Sequence, residues 1–389
     1  MKRELSVPRQ DWPTCIAAAG LTFHSEEVPY WREDVCYRFS SEEIGELEEA
    51  TAELHQMCLE VVEYVITQDR YDLLHIPQVC RPAIRASWEQ ERPSLYGRFD
   101  LRYDGETPPV LLEYNADTPT SLIEASVAQW YWVESVFQGR DQFNSLHEKL
   151  VARWSVIQNK HTGPIHLTGI PDSLEDAQTV AYLQDTAQQA GLETISIPIG
   201  EIGWDRGAQC FVDQANHRIT ALFKLYPWEW LAAEPFGPLM LRSPLSVLEP
   251  AWKMILSNKG LLPLLWELFP GHPYLVPAFF TAEPLGQTYV KKPLLSREGA
   301  NIEIVTPNLL TTMPGPYGRE GWVYQAFIPL PEFEGWHPVI GSWVVGDEPA
   351  GIGIRETQGL ITKDQCRFVP HYFDPAASRT LDDAGSVIH

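Results

Sequence analysis

A segment in the first third of the sequence alternates charged and apolar residues on either side of a turn, and it constrains the fold more than any other part of the chain. Between positions 98 and 120 it reads R-F-D-L-R-Y-D-G-E-T-P-P-V-L-L-E-Y-N-A-D-T-P-T. The pairs Asp104-Gly105 and Pro108-Pro109 are typical of turns. The segment therefore predicts a β-hairpin.

The spacing of the polar residues predicts which side chains of this hairpin face each other. Residues two apart on a strand share a face, so Arg98 lies on the side of Asp100, and Glu113 lies on the side of Asn115. A turn centred at 106–107 places Asp100 opposite Glu113 and Arg98 opposite Asn115. Two carboxylates directly across a strand pair repel each other, unless a hard cation such as Mg2+ lies between them. The alternative is a solvated sheet face that carries an Arg–Asp pair, and the residue types alone favour this alternative.

The size and charge of the chain limit the classes of protein to which it can belong. Its 389 residues exceed what one hydrophobic core usually organises, so we expect two or three lobes. The content of 44% hydrophobic and 21% charged residues is typical of a soluble globular protein. The formal net charge of -23 argues against nucleic acid and against an anionic membrane as partners, because both bind basic surfaces. The same charge would attract a cationic partner such as a polyamine.

The cysteines and the N-terminus indicate the compartment. Six scattered cysteines form neither a CxxC pair nor a Cys–His spacing, so they indicate neither zinc nor a disulfide framework. The first residues, M-K-R-E-L-S-V-P, contain no apolar run after the basic pair. No stretch approaches the roughly 20 apolar residues that cross a bilayer. We therefore expect a cytoplasmic location.

Local capping signals predict two helices in the first third of the chain. Residues 1–40, rich in aromatic residues and proline, are expected to form an irregular segment. Ser40 begins a helix whose apolar residues recur at helical spacing to about Thr67. After the hairpin, Thr118 fits a helix cap and Pro119 fits the first helical position. The N-terminus of that helix could hold an anion beside the proposed metal ligands, although simple capping is the commoner use of such a threonine.

From about position 164 the pattern changes to short apolar strands that alternate with helices. The strands read I-H-L-T-G-I, T-I-S-I-P-I and A-L-F-K-L, and a helix from Ser173 to Ala190 separates the first two. This alternation predicts a small α/β lobe with a parallel sheet. Lys224 and Glu229 flank an aromatic segment at the end of the third strand, where ligands often bind. They are either paired with each other or functional, and the sequence leaves both readings open.

Beyond Glu249 the sequence predicts two helices and then an antiparallel sheet. Lys259 lies between the helices, and Lys292 lies in the strand Y-V-K-K-P. The loop Ser296–Ala300 contains Gly299, which permits close approach of the backbone to a phosphate. Together with oxygen ligands for Mg2+, these features fit the binding of a phosphate chain. The sequence holds no GxxxxGK[ST], GxGxxG, GxSxG or HExxH motif, which argues against the usual nucleotide-binding folds and hydrolase classes.

Several longer strings, in the same order along the chain, carry a family resemblance. They are R-F-D with L-L-E-Y-N-A-D-T-P-T-S-L, L-F-K-L-Y-P-W-E, L-E-P-A-W-K-M-I-L-S-N-K, V-K-K-P-L-L-S-R-E-G-A-N-I, and I-G-S-W-V-V with P-A-G-I-G-I-R-E. Over nearly its whole length the chain resembles the synthetase part of glutathionylspermidine synthase and, more closely, stand-alone bacterial acid–amine ligases of that family.

The resemblance implies a fold and a division of the chain. The family has an ATP-grasp fold, in which two α+β lobes hold ATP between antiparallel sheets. We therefore expect an α+β or α/β protein in which a small α/β lobe precedes the ATP-grasp region. The expected segments are an N-terminal region at 1–160 with the metal-binding hairpin, a substrate lobe at 161–248 and a nucleotide-binding region at 249–389.

The resemblance also implies roles for individual residues. Those implied to hold Mg2+, as two ions, are Asp100, Glu113 and Asn115. Those implied to contact ATP are Arg98, Lys259, Lys292, Glu298, Gly299, Gln325, Ala326, Phe327, Ile328 and Leu360. Those implied to bind the acid substrate are Thr118, Glu229 and Arg355, and those implied to be catalytic are Arg98 and Arg355.

The reaction that the resemblance implies is ATP-dependent amide formation. The γ-phosphoryl group passes to a substrate carboxylate, and an amine then attacks the acyl phosphate and releases phosphate. Arg98 and Arg355 would stabilise the developing charge, since a guanidinium binds oxyanions in a bidentate manner. The alternative for Arg355 is a surface strand residue paired with Glu356.

The substrates and the activity itself leave alternatives open. The stretch at 224–230 differs from that of the bifunctional family members, so we expect a small-molecule or peptide carboxylate and an amine without naming either. One alternative is a non-catalytic protein that binds ATP and kept the fold. Another is a phosphotransferase whose product is the acyl phosphate itself.

Overall fold

The computed structural model describes residues 1–22, 30–160, 163–361 and 366–375. Within these ranges the α-helices are α1 (Trp12–Ala18), α2 (Ser41–Thr67), α3 (Arg81–Glu89), α4 (Gln129–Val136), α5 (Leu146–Gln158), α6 (Leu174–Gln189), α7 (Trp228–Ala233), α8 (Gly237–Met240), α9 (Lys253–Leu256) and α10 (Leu261–Leu268). The strands are β1 (Lys2–Leu5), β2 (Val35–Phe39), β3 (Tyr96–Arg102), β4 (Val110–Asn115), β5 (Ile165–Gly169), β6 (Thr194–Ser196), β7 (Gly203–Asp205), β8 (Cys210–Val212), β9 (Ala221–Leu225), β10 (Ser246–Leu248), β11 (Ala278–Phe279), β12 (Tyr289–Pro293), β13 (Glu303–Thr306), β14 (Leu309–Thr312), β15 (Trp322–Ala326), β16 (His337–Val345), β17 (Glu348–Thr357), β18 (Arg367–Val369) and β19 (His371–Phe373). The prediction of a mixed α and β protein is confirmed.

The predicted hairpin is formed by β3 and β4, and its register is the predicted one. Asp100 is paired with Glu113, and Arg98 is paired with Asn115. A bulge follows Asp100, so the strands resume pairing one residue out of step at Leu101. On its other edge β3 pairs antiparallel with β16, and the whole sheet has the order β18-β17-β16-β3-β4. This sheet therefore joins the hairpin to strands that lie more than 200 residues later in the sequence.

Helix α2 begins and ends where the sequence predicts. The Ser40 side chain accepts from the backbone N–H of Glu43, and the Glu43 carboxylate accepts from the backbone N–H of Ser40, so the two form a capping box. Apolar residues of α2, including Leu47, Leu54 and Val61, are fully buried. They pack against β16, β17 and α10, in a core that also includes Phe99 and Leu101 of β3.

The segment from Ile165 to Leu248 contains the predicted parallel sheet. Its order is β10-β9-β5-β6, and every neighbouring pair in it is parallel. Helix α6 is capped by Ser173, whose hydroxyl accepts from the Asp176 backbone N–H. Buried side chains of α5 and α6 cover the face of this sheet that carries Leu167 and Phe223.

A second five-stranded sheet lies in the region that carries Lys292. Its order is β11-β15-β12-β13-β14, and every neighbouring pair in it is antiparallel, as predicted for this part of the chain. Strands β16 and β17 form a further antiparallel hairpin that turns at Gly346-Asp347. Antiparallel sheets therefore occur on both sides of the contact between the early hairpin and the lysine-bearing strand.

Two predictions for the N-terminal third are wrong. Residues 1–40 were expected to be irregular, yet β1 and β2 form a three-stranded sheet with β19. The helix after the hairpin does not start at Pro119 with a Thr118 cap. Ser121 has a φ of 66°, outside the helical region, and helical structure starts at Leu122. The first turns of this helix, Glu124–Ala128, are π-helical.

None of the helices in the described ranges combines the length and the apolar character that crossing a bilayer requires.

Candidate functional site

A buried carboxylate between two guanidinium groups forms the centre of the site. Arg98 Nε donates to Asp100 Oδ1 at 2.8 Å, and Arg355 Nη2, from β17, donates to Asp100 Oδ2 at 2.6 Å. Burial raises the pKa of Asp100, but Arg355 and Arg98 outweigh burial and hold this pKa well below its usual range. Asp100 is therefore ionised near neutral pH, and two cations converge on it.

Arg355 is not a surface residue paired with Glu356. The two side chains point to opposite faces of β17, as adjacent residues on a strand do. Glu356 is fully buried and accepts instead from Arg3, Arg367 and Tyr37. This leaves the Arg355 guanidinium on the face that carries Asp100.

The side chain of Arg98 occupies space that a glycine leaves open. Gly341 is paired with Asp100 across the β3–β16 ladder, and a Cβ atom at Gly341 would lie 2.9 Å from Arg98 Cδ. The Arg98 guanidinium also lies over the ring of Trp343, 5.7 Å from its centroid, and donates to the carbonyl oxygen of Thr120. Packing and hydrogen bonding thus fix the direction of this side chain.

The three residues implied to hold Mg2+ lie together on the hairpin. Asn115 Nδ2 lies 3.4 Å from Asp100 Oδ2 and 3.3 Å from Glu113 Oε1. Among the residues that the structure describes there is no cluster of three or more His, Cys, Asp or Glu side chains able to hold a metal ion. Two carboxylates with an amide oxygen nevertheless fit Mg2+, which commonly takes one or two carboxylates and completes its shell with water or phosphate. Glu113 contacts one donor at each oxygen, Asn115 Nδ2 and Lys259 Nζ, which leaves lone pairs for a metal ion.

Two lysines approach the hairpin from the later part of the chain. Lys259 Nζ lies 3.2 Å from Glu113 Oε2 and donates to the carbonyl oxygen of Ser296 at 2.6 Å. Lys292 Nζ donates to Gln325 Oε1 at 2.7 Å and to the carbonyl oxygen of Leu112 at 2.8 Å. These bonds connect the lysine-bearing sheet to strand β4 of the hairpin.

Lys292 has an unusual acidity. Burial lowers its pKa to about 8; the Glu113 carboxylate opposes this shift and the Lys259 ammonium adds to it. Lys291, the preceding residue, points to the other face of β12, where it pairs with Glu303 at 3.0 Å. Only one of these two adjacent lysines therefore faces the hairpin.

A cleft between the two five-stranded sheets contains most of the predicted nucleotide contacts. The predicted site residues that line it are Asp100, Glu113, Lys292, Gly299, Gln325, Ala326, Phe327, Ile328 and Leu360. Apolar residues such as Val290, Ile304 and Val339 complete its walls. The volume of the cleft is about 110 Å³. This is less than the roughly 300 Å³ at which small-molecule sites begin.

The loop that follows Lys292 bends over this cleft. Gly299 has a φ of 71°, which a glycine adopts without strain, and Glu298 also has a positive φ of 52°. Gly299 itself lines the cleft. The hydrogen bond from Lys259 Nζ to the carbonyl oxygen of Ser296 holds the backbone of this loop.

Thr118 and Glu229 are brought together by a residue to which the sequence analysis gave no role. Arg297 Nη1 donates to Thr118 Oγ1 at 2.7 Å, and Arg297 Nη2 donates to Glu229 Oε1 at 2.8 Å. Its guanidinium lies 5.5 Å from the ring centroid of Trp230. The sequence offers one signal for this role: Arg297 lies in the same loop as Gly299, which is predicted to approach a phosphate.

Lys224 and Glu229 do not pair with each other. Lys224 Nζ instead donates to Asp117 Oδ1 at 2.6 Å, and both side chains are almost wholly buried. The other oxygen of Asp117 accepts from the backbone N–H of Trp228 at 2.8 Å. Asp117 thus ties the end of the hairpin to the end of β9, a role that the sequence analysis missed.

Comparison with known proteins identifies a matching family and several relatives. Residues 3–374 match the model of a family described as "Glutathionylspermidine synthase preATP-grasp". A protein of Haemophilus influenzae named "Putative acid--amine ligase" is 40% identical over 394 residues, which cover 96% of this chain and 100% of the relative. The trypanothione synthetase of Crithidia fasciculata and the bifunctional glutathionylspermidine synthetase/amidase of Escherichia coli are each 29% identical. The matches cover 80% and 84% of this chain but only 52% and 57% of those two proteins.

Solved structures also resemble the fold. One of them is the apo form of a glutathione synthetase-like effector from Globodera pallida, with a TM-score of 0.55 and 10% sequence identity. The match covers 95% of this chain and 100% of the effector. At this identity the likeness concerns the fold alone.

Proposed function

Because the chain belongs to the glutathionylspermidine synthase preATP-grasp family, we propose that it forms an amide bond between a carboxylic acid and an amine, using ATP and Mg2+. The relatives bear the names of ligases and synthetases. The predicted family and the predicted class of enzyme, an ATP-dependent carbon–nitrogen ligase, are therefore confirmed. The mechanism, the metal and the substrates form the proposal.

The observation that carries the proposal is the cleft shared by the early hairpin and the lysine-bearing sheet. Asp100 and Glu113 enter it from the hairpin, while Lys292 and the segment Gln325–Ile328 enter it from the other sheet. Acidic oxygen ligands facing a buried ammonium are what a metal–triphosphate complex requires. Antiparallel sheets on both sides of this cleft support the ATP-grasp fold that we propose, with the predicted segments 1–160, 161–248 and 249–389.

The nucleotide is proposed to bind along the floor of the cleft. The backbone of Gln325–Ile328 would read the adenine edge against an apolar wall that includes Leu360, and Lys259 and Lys292 would bind the phosphates under the loop with Glu298 and Gly299. Since the cleft volume is about 110 Å³, the cleft has to widen before a nucleotide can enter. Asp100, Glu113 and Asn115 would hold Mg2+, which supplies charge neutralisation of the phosphates.

The chemical step is proposed to occur beside Asp100. A substrate carboxylate oxygen attacks the γ-phosphorus, and ADP leaves. The amine nitrogen then attacks the acyl carbon, loses a proton, and expels phosphate. Arg98 and Arg355, which donate to Asp100 at 2.8 and 2.6 Å, would donate hydrogen bonds to the transferred phosphoryl group and to the oxyanion of the tetrahedral intermediate.

The acid substrate is proposed to bind near Thr118, Glu229 and Arg355. Arg297 now occupies the space between Thr118 and Glu229. The proposed substrates are a small-molecule or peptide carboxylate and an amine, and the proposed location is the cytoplasm. The relatives' own substrates are not transferred to this chain.

The test measures phosphate release from ATP with a panel of peptides and polyamines, in the presence and absence of Mg2+. We expect Lys292→Ala and Glu113→Ala each to lower Mg2+-dependent release by about a hundredfold or more, because each removes a charge at the reacting phosphates. Lys291→Ala is the matched control, since it removes the same side chain from the opposite face of the same strand. Unchanged release in both site variants would reject the proposed site.

ATP binding without phosphate release would identify the non-catalytic alternative. A protein that only kept the fold would bind ATP, by calorimetry, yet release no phosphate with any acid and amine. Product mass distinguishes the phosphotransferase, because an acyl phosphate exceeds the acid by one phosphoryl group whichever amine is supplied, whereas an amide exceeds it by the amine minus one water; the acyl phosphate also decomposes in alkali.

A further inference from the structure

A second cavity lies away from the proposed nucleotide cleft. It has a volume of about 480 Å³, within the range of small-molecule sites. Helix α3 forms one side, and the segment from Met240 to Ala251 forms the other. The lining of this cavity and that of the nucleotide cleft have no residue in common.

The chemistry of its walls is apolar with a basic rim. Trp228, Met240, Leu241 and Val247 are buried apolar residues that line it. The charged residues of the lining are Arg92 and Arg242, and none of the described lining residues is acidic. This stands out in a chain with 52 acidic and 29 basic residues. The cavity therefore offers positive charge beside an apolar surface.

Neither arginine is neutralised by a carboxylate of the described chain. Arg92 Nε donates to the neutral Gln90 Oε1 at 3.1 Å, and no ion pair is formed by Arg92 or Arg242 within the described ranges. The backbone of Arg92 is fixed, because its N–H donates to Ser87 and its carbonyl oxygen accepts from the indole of Trp252. Two guanidinium groups without counter-charges beside an apolar wall are suited to an organic carboxylate.

We propose that this cavity binds a small organic anion that carries a carboxylate on an apolar body. The carboxylate is bound by Arg92 and Arg242, and the apolar body packs on Met240, Val247 and Trp228. The proposal does not depend on the ligase reaction, since the two sites share no lining residue.

Trp228 connects the cavity to the proposed substrate site. Its indole Nε1 donates to the carbonyl oxygen of Glu249 at 2.8 Å, and the Lys224 ammonium lies 4.7 Å from its ring centroid. The next residue is Glu229, which contacts Arg297. A ligand that contacts this indole is therefore adjacent to the groups that surround Glu229.

The experiment uses methyl resonances of the methionines as reporters. The sequence holds five methionines, of which Met240 lines the cavity, so the full chain labelled at the methionine methyl groups gives few signals. The probes are benzoate, octanoate and 4-phenylbutyrate, with 4-phenylbutyramide as the uncharged match. We expect at least one carboxylate to shift the Met240 signal in a saturable way and to leave the signal of Met313, which is not in the lining, unchanged.

The charge dependence tests the role of the arginines. The amide is expected to bind about tenfold or more weakly than the acid. Arg242→Gln and Arg92→Gln are each expected to lower the affinity for the acid to a similar extent. Arg206→Gln, an exposed arginine in the turn between β7 and β8, is the matched control and leaves binding unchanged. Saturating Mg-ATP is expected not to displace the probe.

Three results of the probe titrations would overturn the proposal, and displacement by Mg-ATP would be a fourth. They are the absence of a saturable Met240 shift with all three carboxylates, equal binding of the acid and its amide, and unchanged binding in both site variants. Arg242 is exposed, so its variant tests the proposal even where Arg92→Gln fails to fold, which a thermal unfolding curve reveals. Displacement by Mg-ATP would show that the probe binds in the nucleotide cleft instead.

Discussion

Lys292 illustrates how one residue can link acidity to ligand binding. It is buried against the hairpin with a pKa of about 8, well below that of an ordinary lysine near 10.4. Between these two values the unfolded chain binds a proton that the folded chain does not, so this residue makes stability rise with pH in that window. Phosphates favour the protonated form, so nucleotide binding is expected to restore the proton.

This linkage gives a pH prediction for nucleotide binding. Near pH 8 the wild-type protein is expected to take up a fraction of a proton when it binds Mg-ATP, and its affinity is expected to fall as the pH rises above 8. Calorimetry in two buffers of different ionisation enthalpy measures the proton uptake. Lys292→Arg keeps the charge with a pKa far above this range and is expected to remove the uptake. Equal uptake in both proteins would assign the proton to another group.

At the residue scale, local spacing predicted pairs within the hairpin but not contacts between distant segments. Asp100 faces Glu113 because strands alternate with a period of two, and that rule requires only the turn. Arg297 reaches Thr118 and Glu229 through its long side chain, and no periodicity in the sequence encodes that meeting. The pairing of Lys224 with Asp117, which are 107 residues apart, escaped prediction for the same reason.

Helix α2 was predictable as an element because its start is encoded locally. The Ser40 hydroxyl accepts from the Glu43 backbone N–H at 3.2 Å, and the Glu43 carboxylate accepts from the Ser40 backbone N–H at 2.7 Å. Both partners lie within three positions of each other. The helix that follows β4 begins later than predicted because Arg98 binds the Thr120 carbonyl and Ser121 adopts a positive φ, and both are tertiary effects.

The capping box gives a prediction at the element scale. Ser40→Ala is expected to lower the free energy of unfolding by about 1 kcal/mol, because the first turn loses the acceptor for the Glu43 N–H. The measurement is the midpoint of urea unfolding. Ser155→Ala, in the exposed middle of α5, is the control; among the described residues its hydroxyl bonds only to Val151 of its own helix, so no loss is expected. An equal loss of unfolding free energy in both variants would show that the capping bonds add no particular stability.

The sheet β18-β17-β16-β3-β4 connects early and late parts of the chain. Its strands come from residues 96–115 and from residues 337–369, and the parallel sheet and the lysine-bearing sheet lie between these two segments in the sequence. The three-stranded sheet similarly pairs β2 with β19 in parallel. Both pairings join positions far apart in the chain. Strand β2 pairs with β1 at the start of the chain and with β19 beyond position 370, so no local pattern within residues 1–40 marks these strands.

The shared sheet gives a prediction for the whole molecule. A fragment of residues 1–248 retains β3 but lacks β16, so it exposes a long strand edge and part of the core around Phe99. We expect this fragment to be aggregated or loosely packed, with weak near-ultraviolet circular dichroism. Co-expression with residues 249–389 is expected to restore a soluble complex. A soluble, cooperatively unfolding fragment would show that the N-terminal segments fold on their own.

Gly341 shows that a residue without a side chain can control a charged one. The Arg98 guanidinium keeps its direction because the neighbouring strand leaves a methyl-sized gap, where a Cβ would come within 2.9 Å of Arg98 Cδ. An alanine there adds no charge and removes no hydrogen bond, yet it would push the arginine off its rotamer. The proposed stabilisation of an oxyanion by Arg98 could therefore be tuned, or lost, at a neutral backbone position that a survey of ionisable groups would overlook.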